Sequence, residues 1–188
     1  LELTGAPYTE ELIKLGKPDT RALLLKHSPT AKVPLLKTAR GTVADSLAIA
    51  EYLAEQFPSE QLWPTDIAAR AQARSACAQM HSGFFAMRNH MPFNLSHDAP
   101  LNPVPPEVKV DIERMLALWA ECRAVATESG PYLFGRVSLA DAFFAPIAVR
   151  LRTYQVKLPD ADEAYVETVY QWPAFKAWQK AGLEELNP

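Results

Sequence analysis

Apolar and polar positions along the chain divide it into two regimes. From Val33 to Lys37 a short run rich in β-branched and apolar residues meets a turn around Arg40-Gly41, and Thr42-Val43-Ala44 can pair back, which predicts a hairpin. Directly after it, Leu47, Ala50, Leu53, Ala54 and Phe57 recur at helical spacing with Glu51, Glu55 and Gln56 between them, so a helix follows with Asp45 or Ser46 at its start. Upstream, Tyr8 to Leu15 alternates in part and predicts a strand, and Pro18-Asp19-Thr20 opens a helix reaching Lys26-His27, with His27 a solvated helix-end residue.

The periodicity stops between Pro58 and Pro64 and restarts at Asp66. Beyond that point no segment has strand character. A helix from Asp66 to His90 is predicted to carry Cys77, His81, Phe84 and Arg88 on one face. The proline-rich stretch Ser96 to Pro106 reads as a surface loop, and a helix from Glu107 to about Glu128 keeps Val108, Ile112, Met115, Trp119 and Cys122 on one stripe. Ser138 and Asp141 have capping-box spacing ahead of the nearly all-apolar Ala142 to Val149, which predicts a central helix kinked at Pro146. Two last helices, Ala164 to Tyr170 and Pro173 to Leu183, bring Trp172, Phe175 and Trp178 over the core.

Composition narrows the classes of function. The chain has 188 residues, 48% hydrophobic and 22% charged, which suits globular domains with a proper core. A net charge of −3 with scattered basic residues gives no footprint for nucleic acid or an anionic membrane. No run approaches the roughly 18 uncharged apolar residues of a spanning helix, so a cytoplasmic protein is the expectation. Cys77 and Cys122 lack CxxC spacing, and His27, His81, His90 and His97 lack metal-ligand spacing, so neither a disulfide framework nor a metal site is expected.

The candidate chemistry lies where hairpin meets helix. Pro34 stands at a strand start, where a cis Val33–Pro34 bond would hold a backbone edge open to an extended peptide. Asp45 attracts an ammonium, and the hydroxyl of Ser46 with the N–H groups of a helix start attracts a carboxylate. An α-amino-acid head carries both charges.

Val33-Pro34 followed twelve residues later by Asp45-Ser46 resembles the cytosolic glutathione transferase family, and Leu47 to Leu53 looks like that family's next helix. The resemblance implies an α/β thioredoxin-like domain over residues 1–57, a linker at 58–65 and an all-α helical bundle domain over 66–188. It implies glutathione as cosubstrate, held by the Val33 backbone beside Pro34, by the Asp45-Ser46 pair at the γ-glutamyl head, and by Lys32 near the glycyl end. It also implies a small electrophile as partner and a homodimer, while the helical face that carries His81, Phe84 and Arg88 is the candidate second-substrate pocket, with Arg88 able to hold a carboxylate. Ser138 and Asp141, after Tyr132-Leu133-Phe134-Gly135, match the family's structural capping box.

Leu1 to Gly5 reads as the tail of a helix, and in the family a strand and most of a helix precede this point, roughly 20 residues by the size of a βαβ unit. The family's thiol-activating Tyr, Ser or Cys follows that first strand, so the catalytic group is expected before Leu1. The function implied is transfer of the glutathione thiolate to an electrophile. Isomerisation, dehalogenation or ether cleavage with glutathione would use the same binding parts, and a non-catalytic scaffold of the same shape is a further alternative.

Overall fold

The computed structural model describes residues 1–186, and these fall into two compact units, Leu1–Leu62 and Trp63 onward. The first unit is α/β. A 3₁₀ turn, Glu2–Thr4, ends at Gly5 with φ 62°, the left-handed conformation that glycine adopts without a Cβ penalty. Helix α1 spans Thr20–Leu25, strands β1 (Leu35–Thr38) and β2 (Gly41–Ala44) form an antiparallel pair, and helix α2 spans Ser46–Gln56.

The strand predicted from Tyr8 to Leu15 is not formed: residues 6–15 are irregular, and Leu12 and Leu15 are each 62% exposed. Alternation alone does not make a strand, because its N–H and C=O groups need a partner ladder, and β1 and β2 pair only with each other among the described residues. His27 also differs from its expected solvated state. It is half-buried, with Nε2 3.0 Å from the Glu11 carboxylate and Nδ1 2.8 Å from Lys37 Nζ, so the loop carboxylate bridges the end of α1 to β1.

The second unit is helical. The predicted continuous helix over 66–90 is broken: α3 covers Ile67–Ser82 and α4 covers Phe85–His90. Gly83 ends α3, and Phe84 takes the left-handed conformation at φ 57°, ψ 41°. A glycine after Ser82, with His81 in the last turn, is a stop signal that periodicity alone had overridden. Helix α5 follows (Pro106–Ala124), then α6 (Leu139–Thr153), α7 (Asp160–Gln171) and α8 (Pro173–Leu186).

Helix α6 is the centre of this unit, buried at ten positions and packed against α3 and α7. It runs on through Pro146. Around it Trp119 meets Phe144 and Tyr165 edge-on at 6.0 and 4.7 Å, and Cys77 and Cys122 are fully buried. Trp178 departs from the expected core role: it is 47% exposed and stands beside Phe93 at 5.8 Å. No described helix is long and apolar enough to cross a membrane.

Candidate functional site

The hairpin register does the first part of the assembly. Leu35 pairs with Ala44 as the last pair of the ladder, so Val33-Pro34, just before β1, and Asp45-Ser46, just after β2, lie at the same end of the hairpin. Residues eleven to thirteen apart in sequence thereby reach one end of one hairpin. The turn that closes it is fastened by Thr38, whose Oγ1 donates to Gly41 O at 2.8 Å and accepts from Arg40 N–H at 3.1 Å.

Backbone conformation at this end is unusual. The Val33–Pro34 bond is cis, and Asp45, a non-glycine residue, sits at φ 78°, ψ 136°. A positive φ costs an L-residue free energy and persists only where its surroundings require it, so such outliers gather at ligand sites. Asp45 caps α2, its Oδ1 accepting the Leu47 N–H at 2.8 Å, and Ser46 is the first residue of that helix. Lys32, Val33, Pro34 and Asp45 are exposed and Ser46 half-buried, Val33 at 53%. The arrangement presents an accessible backbone edge, a carboxylate and a helix start side by side, in reach of an extended peptide with a zwitterionic head.

The residues predicted for a second ligand are less united. The break at Gly83 and Phe84 removes the single helical face that was to carry them. His81 is exposed near the end of α3, whereas Phe84 is 8% exposed and belongs to the core. Arg88 folds back on α3, donating from Nη2 to the Met80 carbonyl and reaching Met80 Sδ at 3.3 Å and the His81 carbonyl at 3.5 Å. It satisfies carbonyls that a helix end leaves without partners.

Ser138 and Asp141 are deeply buried. Asp141 accepts the Ser138 N–H at 2.8 Å, the Leu133 N–H at 3.3 Å and the Tyr165 hydroxyl at 3.1 Å, while Ser138 Oγ accepts the Ala140 N–H at 3.2 Å. Burial pushes the Asp141 carboxyl up to about 6 against these four donors, Ser138 Oγ being the fourth. The arrangement ties α6 to the loop before it and to α7. Sequence reading missed Tyr165, which lies 24 positions away and carries no local signal. Tyr8 has its hydroxyl engaged with Glu2 at 2.6 Å, which holds the phenol up at about 12.

Comparison with known proteins places both units. Residues 1–56 match the family model described as Glutathione S-transferase, N-terminal domain, and residues 69–181 match Glutathione S-transferase, C-terminal domain. Among curated relatives, a probable maleylacetoacetate isomerase of Caenorhabditis elegans is 33% identical over 89 residues, covering 47% of this chain and 42% of that protein. Glutathione S-transferase 1 of Dianthus caryophyllus is 30% identical over 153 residues, 78% of this chain and 66% of its own. The chain thus spans less than two thirds of either relative's length. The holo structure of a maleylpyruvate isomerase, described as a bacterial glutathione transferase of the zeta class, superposes with TM-score 0.70 at 24% identity over 93% of this chain and 85% of that one.

Proposed function

Because the chain belongs to the glutathione S-transferase family, we propose that the end of its hairpin is a glutathione clamp and that the protein is a glutathione transferase. The observation that supports this reading is the hairpin whose ladder ends at Leu35 and Ala44, which leaves Val33-Pro34 and Asp45-Ser46 at one end of it. In the clamp, the Val33 main chain pairs with the cysteinyl portion, the Asp45 carboxylate takes the γ-glutamyl ammonium, and Ser46 with the first N–H groups of α2 takes the α-carboxylate. Lys32 lies toward the glycyl end. Glutathione reacts as its thiolate, which forms a carbon–sulfur bond to an electrophilic carbon as the leaving group departs with the bonding electrons. The acceptor is assigned to the helical unit near His81 and Arg88, with Phe84 as a buried wall. Ser138 and Asp141 keep a structural role. We assign the protein to the cytoplasm and to a homodimeric assembly, as the family resemblance implies.

Removing one charge from the clamp tests this. Asp45→Ala is expected to weaken glutathione binding about tenfold or more, since hydrogen bonds to charged groups contribute roughly 1.5 to 3 kcal/mol. Equal affinities of wild type and variant in calorimetric titration would overturn the assignment of Asp45. Wild type passing straight through immobilised glutathione would favour a non-catalytic scaffold.

A second reading, glutathione-dependent cis–trans isomerisation, is favoured by the isomerase names among the relatives and neighbours. The two readings differ in stoichiometry. Conjugation consumes one thiol per turnover, whereas isomerisation returns it, so a thiol assay alongside product formation separates them.

A further inference from the structure

The last turn of α4 and the C-terminal half of α6 each carry an arginine, and the two elements meet through Met91. Arg150, on α6, donates from Nε to the carbonyl of Met91, the residue that caps α4, at 2.9 Å, and from Nη1 to the Pro146 carbonyl at 3.0 Å. Arg88 stands three residues before Met91 on α4 and directs its Nη2 to the end of α3. Its Nε is buried without a hydrogen-bond partner. Both side chains are half-buried. Burial lowers the Arg150 pKa and the charge of Arg88 lowers it further, the response of a cation held near a like charge.

The carboxylates close to this turn are committed elsewhere. Asp111 on α5 accepts the Met87 N–H at 2.9 Å, and Glu107 lies 3.7 Å from His90. Neither guanidinium forms an ion pair among the described residues. Two half-buried cations partnered by main-chain carbonyls and Met80 Sδ, and by no carboxylate among the described residues, form an arrangement that gains free energy when an anion arrives.

The apolar surroundings limit what that anion is. The Arg150 guanidinium lies over the Phe93 ring, 5.5 Å from its centroid, and Phe93 is 5.8 Å from Trp178. Phe93 is 39% and Trp178 47% exposed, a pair of open aromatic rings beside the Arg150 guanidinium. An aromatic ligand stacked on these rings would hold an attached carboxylate close to the Arg150 guanidinium.

We propose that Arg88 and Arg150, with Phe93 and Trp178, form a binding site for an aromatic carboxylate, so that the acceptor class includes aryl carboxylic acids. The ligand's role as acceptor rests on the transferase reading above. The site itself rests on the helical unit alone.

Benzoate and its neutral isostere benzamide are the probes, titrated calorimetrically into the full chain at matched ionic strength. Benzoate is expected to bind at least about tenfold more tightly than benzamide, and Arg150→Met to abolish the difference. Phe93→Ala, which truncates an exposed ring, is expected to weaken benzoate binding severalfold and keep the preference for the anion. Equal binding of the two probes, no detectable benzoate binding, or undiminished benzoate affinity in Phe93→Ala would each overturn the proposal. Those three criteria hold even if Arg150→Met does not fold. Glutathione titrated into the same preparation separates the two readings: a protein that binds glutathione and not benzoate overturns only this site, and the reverse result overturns only the clamp.

Discussion

Asp141 shows how one buried carboxyl links pH to stability. Its folded-state pKa is raised to about 6 chiefly by burial, although two backbone N–H groups and two hydroxyls favour the anion. In the unfolded chain an aspartate titrates near 3.9, so between these values the native state holds a proton that the unfolded state has released. Stability therefore falls as pH rises from about 4 to about 6 and levels off above, the opposite of a salt-bridged aspartate. Asp141→Asn cannot titrate. The stability of wild type relative to that variant, from urea midpoints across this range, is expected to decline with rising pH, and a flat or rising difference would contradict the raised pKa. The sequence could show that Ser138 and Asp141 had capping-box spacing because the contact is local. It could not show the burial or the Tyr165 hydroxyl, which depend on α7 packing against α6.

Among the elements, those legible in sequence were the ones with local causes. The hairpin and α2 follow from a β-rich run, a glycine turn and an Asp-Ser helix start, and Val33-Pro34 and Asp45-Ser46 share one end of the hairpin because they flank its last pair, Leu35 and Ala44. The strand over Tyr8 to Leu15 failed because strand formation needs a partner, which periodicity cannot report. The break between α3 and α4 was missed because the apolar repeat continues across Gly83, where an added Cβ would lie 2.8 Å from the Gln79 carbonyl oxygen. The approach to α6 depends on a second glycine. Gly135 sits at φ 88°, and a Cβ there would stand 2.2 Å from the Glu128 carbonyl oxygen. That oxygen belongs to the main chain and cannot swing aside. Gly135→Ala is expected to destabilise the protein by at least about 2 kcal/mol, read as a lower urea midpoint with an unchanged slope. A midpoint equal to wild type would mean that the 126–136 loop relaxes freely.

At the scale of the molecule, the two units are unequal in what they bury. In the first, the buried apolar side chains are Leu24, Ala50, Leu53 and Leu62, while Leu12, Leu15, Leu25 and Val33 are exposed. The second holds Trp119, Tyr165, Phe144, Met87, Met91 and Met115, each fully buried or nearly so, around α6. Apolar burial contributes about 25 cal/mol per Å², so the free energy that resists local opening is concentrated in the helical unit. Native-state hydrogen exchange on the full chain is expected to show α2 amides such as Leu53 opening at a lower free energy than α6 amides such as Val149. A ligand held by Asp45 and Ser46 binds the unit that opens more easily, and it stabilises only the states that keep the clamp intact. Glutathione at a hundred times its wild-type dissociation constant is therefore expected to raise the opening free energy of α2 by about 2.7 kcal/mol in wild type and by about 1.4 kcal/mol or less in Asp45→Ala at the same concentration. Protection that rises equally in α2 and α6 would show that the units open together, and protection unchanged in α2 would remove the clamp from the hairpin end.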